Sequence, residues 1–201
     1  LVVGMTLPAF AQDWYIDAGD ISISAGENGN NITQNGTTTT DPTDTVIKSN
    51  GSSSNTVTIH ADEGKTVNVT LDNVNINTNR AAVSVTGSGN TNIELKGNNT
   101  LTSGSGHAGL EHNKTDDSGT LTITDNDNDG KLDAKGGTGI GGGYANDGQV
   151  TITSGTITAT GTNGGAGIGG GKASANANGQ VNGGDGDVTI TGGTITATGD
   201  S

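Results

Sequence analysis

Val150–Gly161 reads VTITSGTITATG and Val188–Gly199 reads VTITGGTITATG, identical at eleven of twelve positions and offset by 38 residues. Each block is two alternating runs joined by a Ser-Gly or Gly-Gly turn. Successive side chains of a strand point to opposite faces. Val150, Ile152, Ile157 and Ala159 therefore share one face, while Thr151, Thr153, Thr156, Thr158 and Thr160 share the other. A second block, GTGIGGG at Gly137–Gly143, recurs as GAGIGGG at Gly165–Gly171 and places Ile168 with the aliphatic set. The order is constant: strand, tight turn, strand, Gly-rich short strand, variable polar loop. A unit of this kind cannot bury its aliphatic stripe alone, and stacking successive units does so.

Extended upstream, the pattern pairs Ile93 and Leu95 with Leu121 and Ile123, then with Val150 and Ile152, then with Val188 and Ile190. Leu101, Leu132, Ile157 and Ile195 form the second series, and Leu110, Ile140 and Ile168 the third. The expectation is an all-β, right-handed parallel β-helix of three-strand coils, cut at both ends. Thr66–Val85 and the stretch DWYIDAGDISIS are the first, less regular coils. Residues 1–11 are expected to be a signal-peptide remnant, 12–65 a cap with irregular coils, and 66–201 the solenoid.

Composition supports this. Of 201 residues, 37 are Gly, 28% are hydrophobic, 2% are aromatic and none is Cys, too little bulky apolar material for a layered core. A net charge of −13 with low hydrophobicity suits disorder, but strict aliphatic alternation does not. The opening LVVGMTLPAFAQ resembles the end of an apolar leader with a small-x-small cleavage site at Ala9-Phe10-Ala11, so export to the cell surface or beyond is expected. No stretch approaches a membrane span of about 18 apolar residues. Strong acidity opposes nucleic acid.

At Val69–Ile76 (VTLDNVNI), Ile93–Glu111 (IELKGNNTLTSGSGHAGLE), the LTIT run from Leu121 and the GAGIGGG block, the chain resembles the bacterial extracellular β-helix proteins with a carbohydrate-binding domain, common in clostridia and other gut bacteria. The resemblance implies a parallel β-helix, calcium held in loops, and binding of acidic sugars or plant cell-wall polysaccharide. It assigns no sugar-binding residue.

Three motifs carry possible chemistry. Gly137, Gly139 and Gly142 satisfy GxGxxG, as do Gly165, Gly167 and Gly170. The dinucleotide fingerprint requires a following helix, whereas polar loops follow here, so these are structural corners. DNDNDGKLD places Asp125, Asp127 and Asp129 at alternate positions, with the Lys131 carbonyl and Asp133 completing the opening of an EF-hand-type calcium loop. Position 12 is Gly136 and not the bidentate Glu. Eight residues separate Ile123 from Leu132, where four separate Ile152 from Ile157, so the cluster is a four-residue insertion at a corner.

Catalytic material is sparse. Arg80 is the single Arg, His107 and His112 are expected at the surface, and Glu94, Glu111 and Asp133 are candidates to meet on one face of the stack. The outward Thr rows, spaced about 6.8 Å along a strand and about 4.8 Å between coils, suggest an ice-binding lattice, which Lys131, Asp133 and Lys135 interrupt. The leading expectation is a calcium-dependent binder of polysaccharide, with a structural adhesin stalk and a polysaccharide lyase or hydrolase as alternatives.

Overall fold

The computed structural model describes residues 12–42, 44–175, 178–179 and 181–200. The expected leader and cleavage site lie outside the described residues. The chain is a parallel β-helix. Asp13–Tyr15, Thr45–Lys48, Thr66–Asp72, Asn90–Lys96, Leu121–Thr124, Gly148–Ile152 and Gly186–Ile190 pair in parallel into the first face. The second runs from Asn75–Asn77 through Asn98–Thr102, Lys131–Gly136 and Thr156–Gly161 to Thr194–Thr198. The third stacks Ile21–Ala25, Val57–His60, Val83–Thr86, Ala108–His112, Thr138–Gly141 and Ile168–Gly169. At its N-terminal edge an antiparallel pair, Asn30–Gln34 and Thr37–Asp41, is added. Ile32 is fully buried there, and buried Trp14 donates its Nε1–H to Asp41 at 3.2 Å. Among the described residues no helix is long and apolar enough to cross a membrane.

Columns of aliphatic side chains fill the interior, with only their last members, Ile190 and Ala197, exposed. Val69, Ile93, Ile123, Ile152 and Ile190 align on the first face. Ile76, Leu101, Ala134, Ala159 and Ala197 align on the second. Each fully buried aliphatic contributes about 1.5–3 kcal/mol, so a narrow stripe suffices where coils repeat. Val150, Ile152, Ile157 and Ala159 are buried, with the alternating threonines outside. Ile168 is only partly buried, because its strand is the edge of the third-face sheet.

One coil departs from the expected register by two residues. Ile93, not Leu95, stacks on Ile123, and Thr91 meets Leu121. On the second face Asn99 stacks on Leu132, and Leu101 on Ala134. Matching aliphatic to aliphatic fails because Asn99 is tolerated inside. Its Oδ1 accepts the Val74 N–H at 2.9 Å, and its Nδ2 donates to the carbonyls of Lys96 and Lys131. A buried amide so satisfied avoids the desolvation penalty of an orphaned polar group.

His112 corrects another expectation. It is 1% exposed and continues the inward column Ile23–Ile59–Val85. Its Nδ1 faces the Gln149 carbonyl at 2.9 Å and must donate. Burial pushes its pKa below the ordinary 6.5. A histidine with a depressed folded pKa contributes stability that is complete above its unfolded pKa and is lost as pH falls through the folded value. Urea unfolding at descending pH from neutrality is therefore expected to show His112→Gln approaching the wild type in stability below pH 6.5. A gap between the two proteins that stays constant through that window would contradict this.

Candidate functional site: a polar groove on the first face

Outward residues of the first face form registered rows. Asn68, Asn92, Thr122, Thr151 and Thr189 make one, Asp13, Val46, Thr70, Glu94 and Thr124 a second, and Tyr15, Lys48, Asp72 and Lys96 a third. Three adjoining hollows of about 490, 460 and 410 Å³ lie over these rows. All three share Asp44, so they form one depression. It runs from Gly26 and Pro42 beside the antiparallel pair, across Asn68 and Asn92, to Asp127.

The groove is held by its own polar contacts. Asn92 Nδ2 donates to Asn68 Oδ1 at 2.9 Å, one coil away. Glu94 is clamped from the next coil: its Oε1 accepts the Asn126 N–H at 2.6 Å, and its Oε2 accepts Asn126 Nδ2 at 2.8 Å and the Thr124 hydroxyl. Lys48 Nζ donates to Asp13 at 2.7 Å and lies 3.6 Å from Asp72. The hydrogen bond to Asp13 raises the Lys48 pKa. Such fixed donors and acceptors lose little conformational freedom when a ligand arrives.

The five residues expected to hold calcium are distributed differently. Asp125 is 5% exposed and inward, continuing the alternation of Leu121 and Ile123, and its Oδ1 accepts the Asp129 N–H at 3.1 Å. Asp127 is exposed and lines the groove. Asp129 is exposed on the loop, and Asp133 points outward on the second face, in register with Thr100 and Thr158. The Lys131 carbonyl accepts from Asn99. Among the described residues no group of three or more His, Asp or Glu converges as a metal cage. Gly130 is required by packing, since a Cβ there would lie 2.5 Å from the Leu95 carbonyl oxygen. The insertion builds a wall: Asn126 clamps Glu94, and Asp127 faces the groove.

Other expected site residues separate. Glu94 lies on the first face, Glu111 on the third and Asp133 on the second, so these three do not meet. Glu111 instead accepts from His107 Nδ1 and the Ala108 N–H, both at 3.0 Å. Arg80 is spent on a bidentate pair with Asp20, at 3.1 and 2.9 Å, outside the groove. Gly139 lies within the Thr138–Gly141 strand, not at a corner, while Gly137 and Gly142 flank that strand, and no helix follows. On the second face Lys131, Asp133 and Lys135 stand in register with Thr156, Thr158 and Thr160, which interrupts the threonine lattice.

Asp44, Asn68, Asn92, Lys48 and Lys96 were not singled out by the sequence reading. The available signal was the match of TVNVTLD at Thr66–Asp72 with NTNIELK at Asn90–Lys96, which aligns the two asparagines.

Comparison with known proteins agrees with the architecture. The family described as Beta helix repeat matches residues 128–144, 150–172 and 188–201. No curated protein and no solved structure matched the chain. The matched segments hold the repeated strands and glycine corners and none of the groove residues named above. The chain is thus similar to β-helix repeat proteins, a fold found in surface proteins and polysaccharide-acting enzymes.

Proposed function

We propose that this is an exported carbohydrate-binding β-helix that holds an extended glycan along the first-face groove. The observation that carries the reading is the continuity of three hollows around Asp44, lined by side-chain amides, hydroxyls and carboxylates on a rigid sheet. An extended polymer fits a groove running across successive coils. Asn68, Asn92 and Glu94 offer donors and acceptors for sugar hydroxyls, and Tyr15, 37% exposed at one end of the Lys48 row, offers a ring face.

Charge sets the ligand class. Asp13, Asp44, Asp72, Glu94 and Asp127 line the groove against Lys48, Lys65 and Lys96. A neutral, hydroxyl-rich chain suits this lining. A polyuronate meets the carboxylate excess and requires calcium as a bridge.

Glycan arrays probed in calcium and in chelator, followed by calorimetry on the bound glycan, test the reading. Asn92→Ala and Glu94→Ala are each expected to weaken binding about tenfold or more, equivalent to about 1.4 kcal/mol. Neutral glycans are expected to bind equally in chelator, and polyuronates only with calcium. Affinity unchanged in both variants would remove the groove from the account.

A further inference from the structure

The antiparallel pair at the N-terminal edge of the third face, Asn30–Gln34 and Thr37–Asp41, is joined by Asn35-Gly36, both at positive φ (52° and 75°), the two-residue turn whose twist suits a hairpin. Gln34 and Thr37, which flank such a turn, exchange hydrogen bonds, and the ladder then alternates. Ile32 with Thr39 and Asn30 with Asp41 are the next bonded pairs. Thr38 and Thr40 therefore turn their N–H and C=O groups the other way, off the edge of the sheet. Thr37–Asp41 is the last strand of that sheet, and among the described residues no backbone group from elsewhere bonds Thr38 or Thr40.

A bare edge of this kind is a template for another strand, and proteins ordinarily blunt one with a Lys, a Pro or a bulge. Thr37–Thr40 has none of these, its side chains are exposed, and Thr is a strong strand former. The charge pattern indicates what the edge receives. With a net charge of −13, two copies of this chain repel across most of their surfaces. Beside this edge the outward side chains are Thr33 and Asn31, then Ser22 and Ser24, then Thr58 and His60, with no Asp, Glu, Lys or Arg among them. Two copies can meet here without opposing like charges.

The edge is also complementary to itself. Turned about a two-fold axis through Thr39, Thr38 of one copy faces Thr40 of the second, and each outward N–H meets an outward C=O. Threonine then stands opposite threonine, the pairing that Thr33 and Thr38 already make at 2.7 Å within the hairpin.

We propose that Thr37–Asp41 pairs antiparallel with the same strand of a second copy, so that the third-face sheets of two solenoids become one continuous sheet. The contact is shorter than a permanent interface, so the pair forms and parts with concentration. It stands whether or not the first-face groove binds a glycan.

Sedimentation equilibrium of the full chain, over a concentration series reaching about 1 mM where weak contacts are populated, tests the pairing. The wild type is expected to pass from the mass of one chain towards that of two. Thr39 is exposed and faces its own counterpart across the axis, so Thr39→Lys or Thr39→Glu sets like charges opposite each other. Each variant alone is expected to stay monomeric with thermal unfolding unaltered, and an equimolar mixture of the two to regain the dimer, since Lys then faces Glu. Amide hydrogen exchange at Thr38 and Thr40 is expected to slow about tenfold or more as the wild type associates. A wild type that is monomeric at every concentration would overturn the proposal. Association that neither variant weakens, or a mixture that fails to associate, would also overturn it by excluding the two-fold pairing at Thr39. Amides of Thr38 and Thr40 already protected in the dilute monomer would show that the edge is covered within one chain, which overturns it equally.

Discussion

Ile152→Asp is expected to unfold the solenoid at temperatures where the wild type is intact. Ile152 is fully buried, stacked between Ile123 and Ile190. The substitution removes about 2–3 kcal/mol of apolar burial and places a carboxylate where no cation can reach it, a penalty of several kcal/mol more. A total of about 5 kcal/mol is comparable with the whole stability of many domains. Thr151→Asp, one residue earlier on the outward face beside Thr122 and Thr189, is expected to cost no more than about 1 kcal/mol. Adjacent positions with opposite tolerance are the signature of the pleat, since a one-residue slip exchanges every face. Urea denaturation of the two variants beside the wild type reads the difference directly. Equal midpoints for Ile152→Asp and Thr151→Asp would contradict the register.

Gly141→Ala is expected to be nearly as damaging, although it adds one methyl. Gly141 has φ +129°, a conformation that L side chains rarely adopt, and a Cβ there would lie 2.0 Å from the Gly169 carbonyl oxygen on the next coil. Neither problem relaxes locally, because the Gly142 N–H donates to that same carbonyl at 2.9 Å. Strain and steric opening of the stack together suggest a loss of about 3–5 kcal/mol. Gly51→Ala meets nothing within 4 Å and is expected to change stability by less than about 0.5 kcal/mol. A thermal melt of Gly141→Ala matching that of Gly51→Ala would show that the repeated glycines do not set the coil spacing.

The sequence disclosed the coil where chemistry repeats. The duplicated blocks from Val150 and Val188 pair residue for residue on the first and second faces, and Leu110, Ile140 and Ile168 stack as the third series of the repeat. Legibility ended where burial was bought by something other than aliphatic bulk. Asn99 sits inside because three backbone groups surround its amide, and His112 because Gln149 receives its Nδ1–H. Val74, Lys131 and Gln149 lie on other coils, far away in sequence, so each residue reads as polar surface until the coils are stacked.

The site was less legible for the same reason. The acidic insertion was visible as an insertion, but its carboxylates diverge because Asp125 continues an inward alternation while Asp133 begins on an outward one. What the insertion does, holding Glu94 through Asn126 and walling the groove with Asp127, depends on contacts between coils. Asp44 and Lys48 flank one strand, Lys96 lies two coils further on, and they share the groove only through the register of the first face.

The most direct measurement is a crystal structure of the protein with the oligosaccharide that binds best on the array. The account places the sugar chain along the first face, in the depression around Asp44, with hydroxyls on Asn68, Asn92 and Glu94 and its far end beside Asp127. An oligosaccharide lying instead across Thr156, Thr158 and Thr160 on the second face, with the groove filled by solvent, would contradict it.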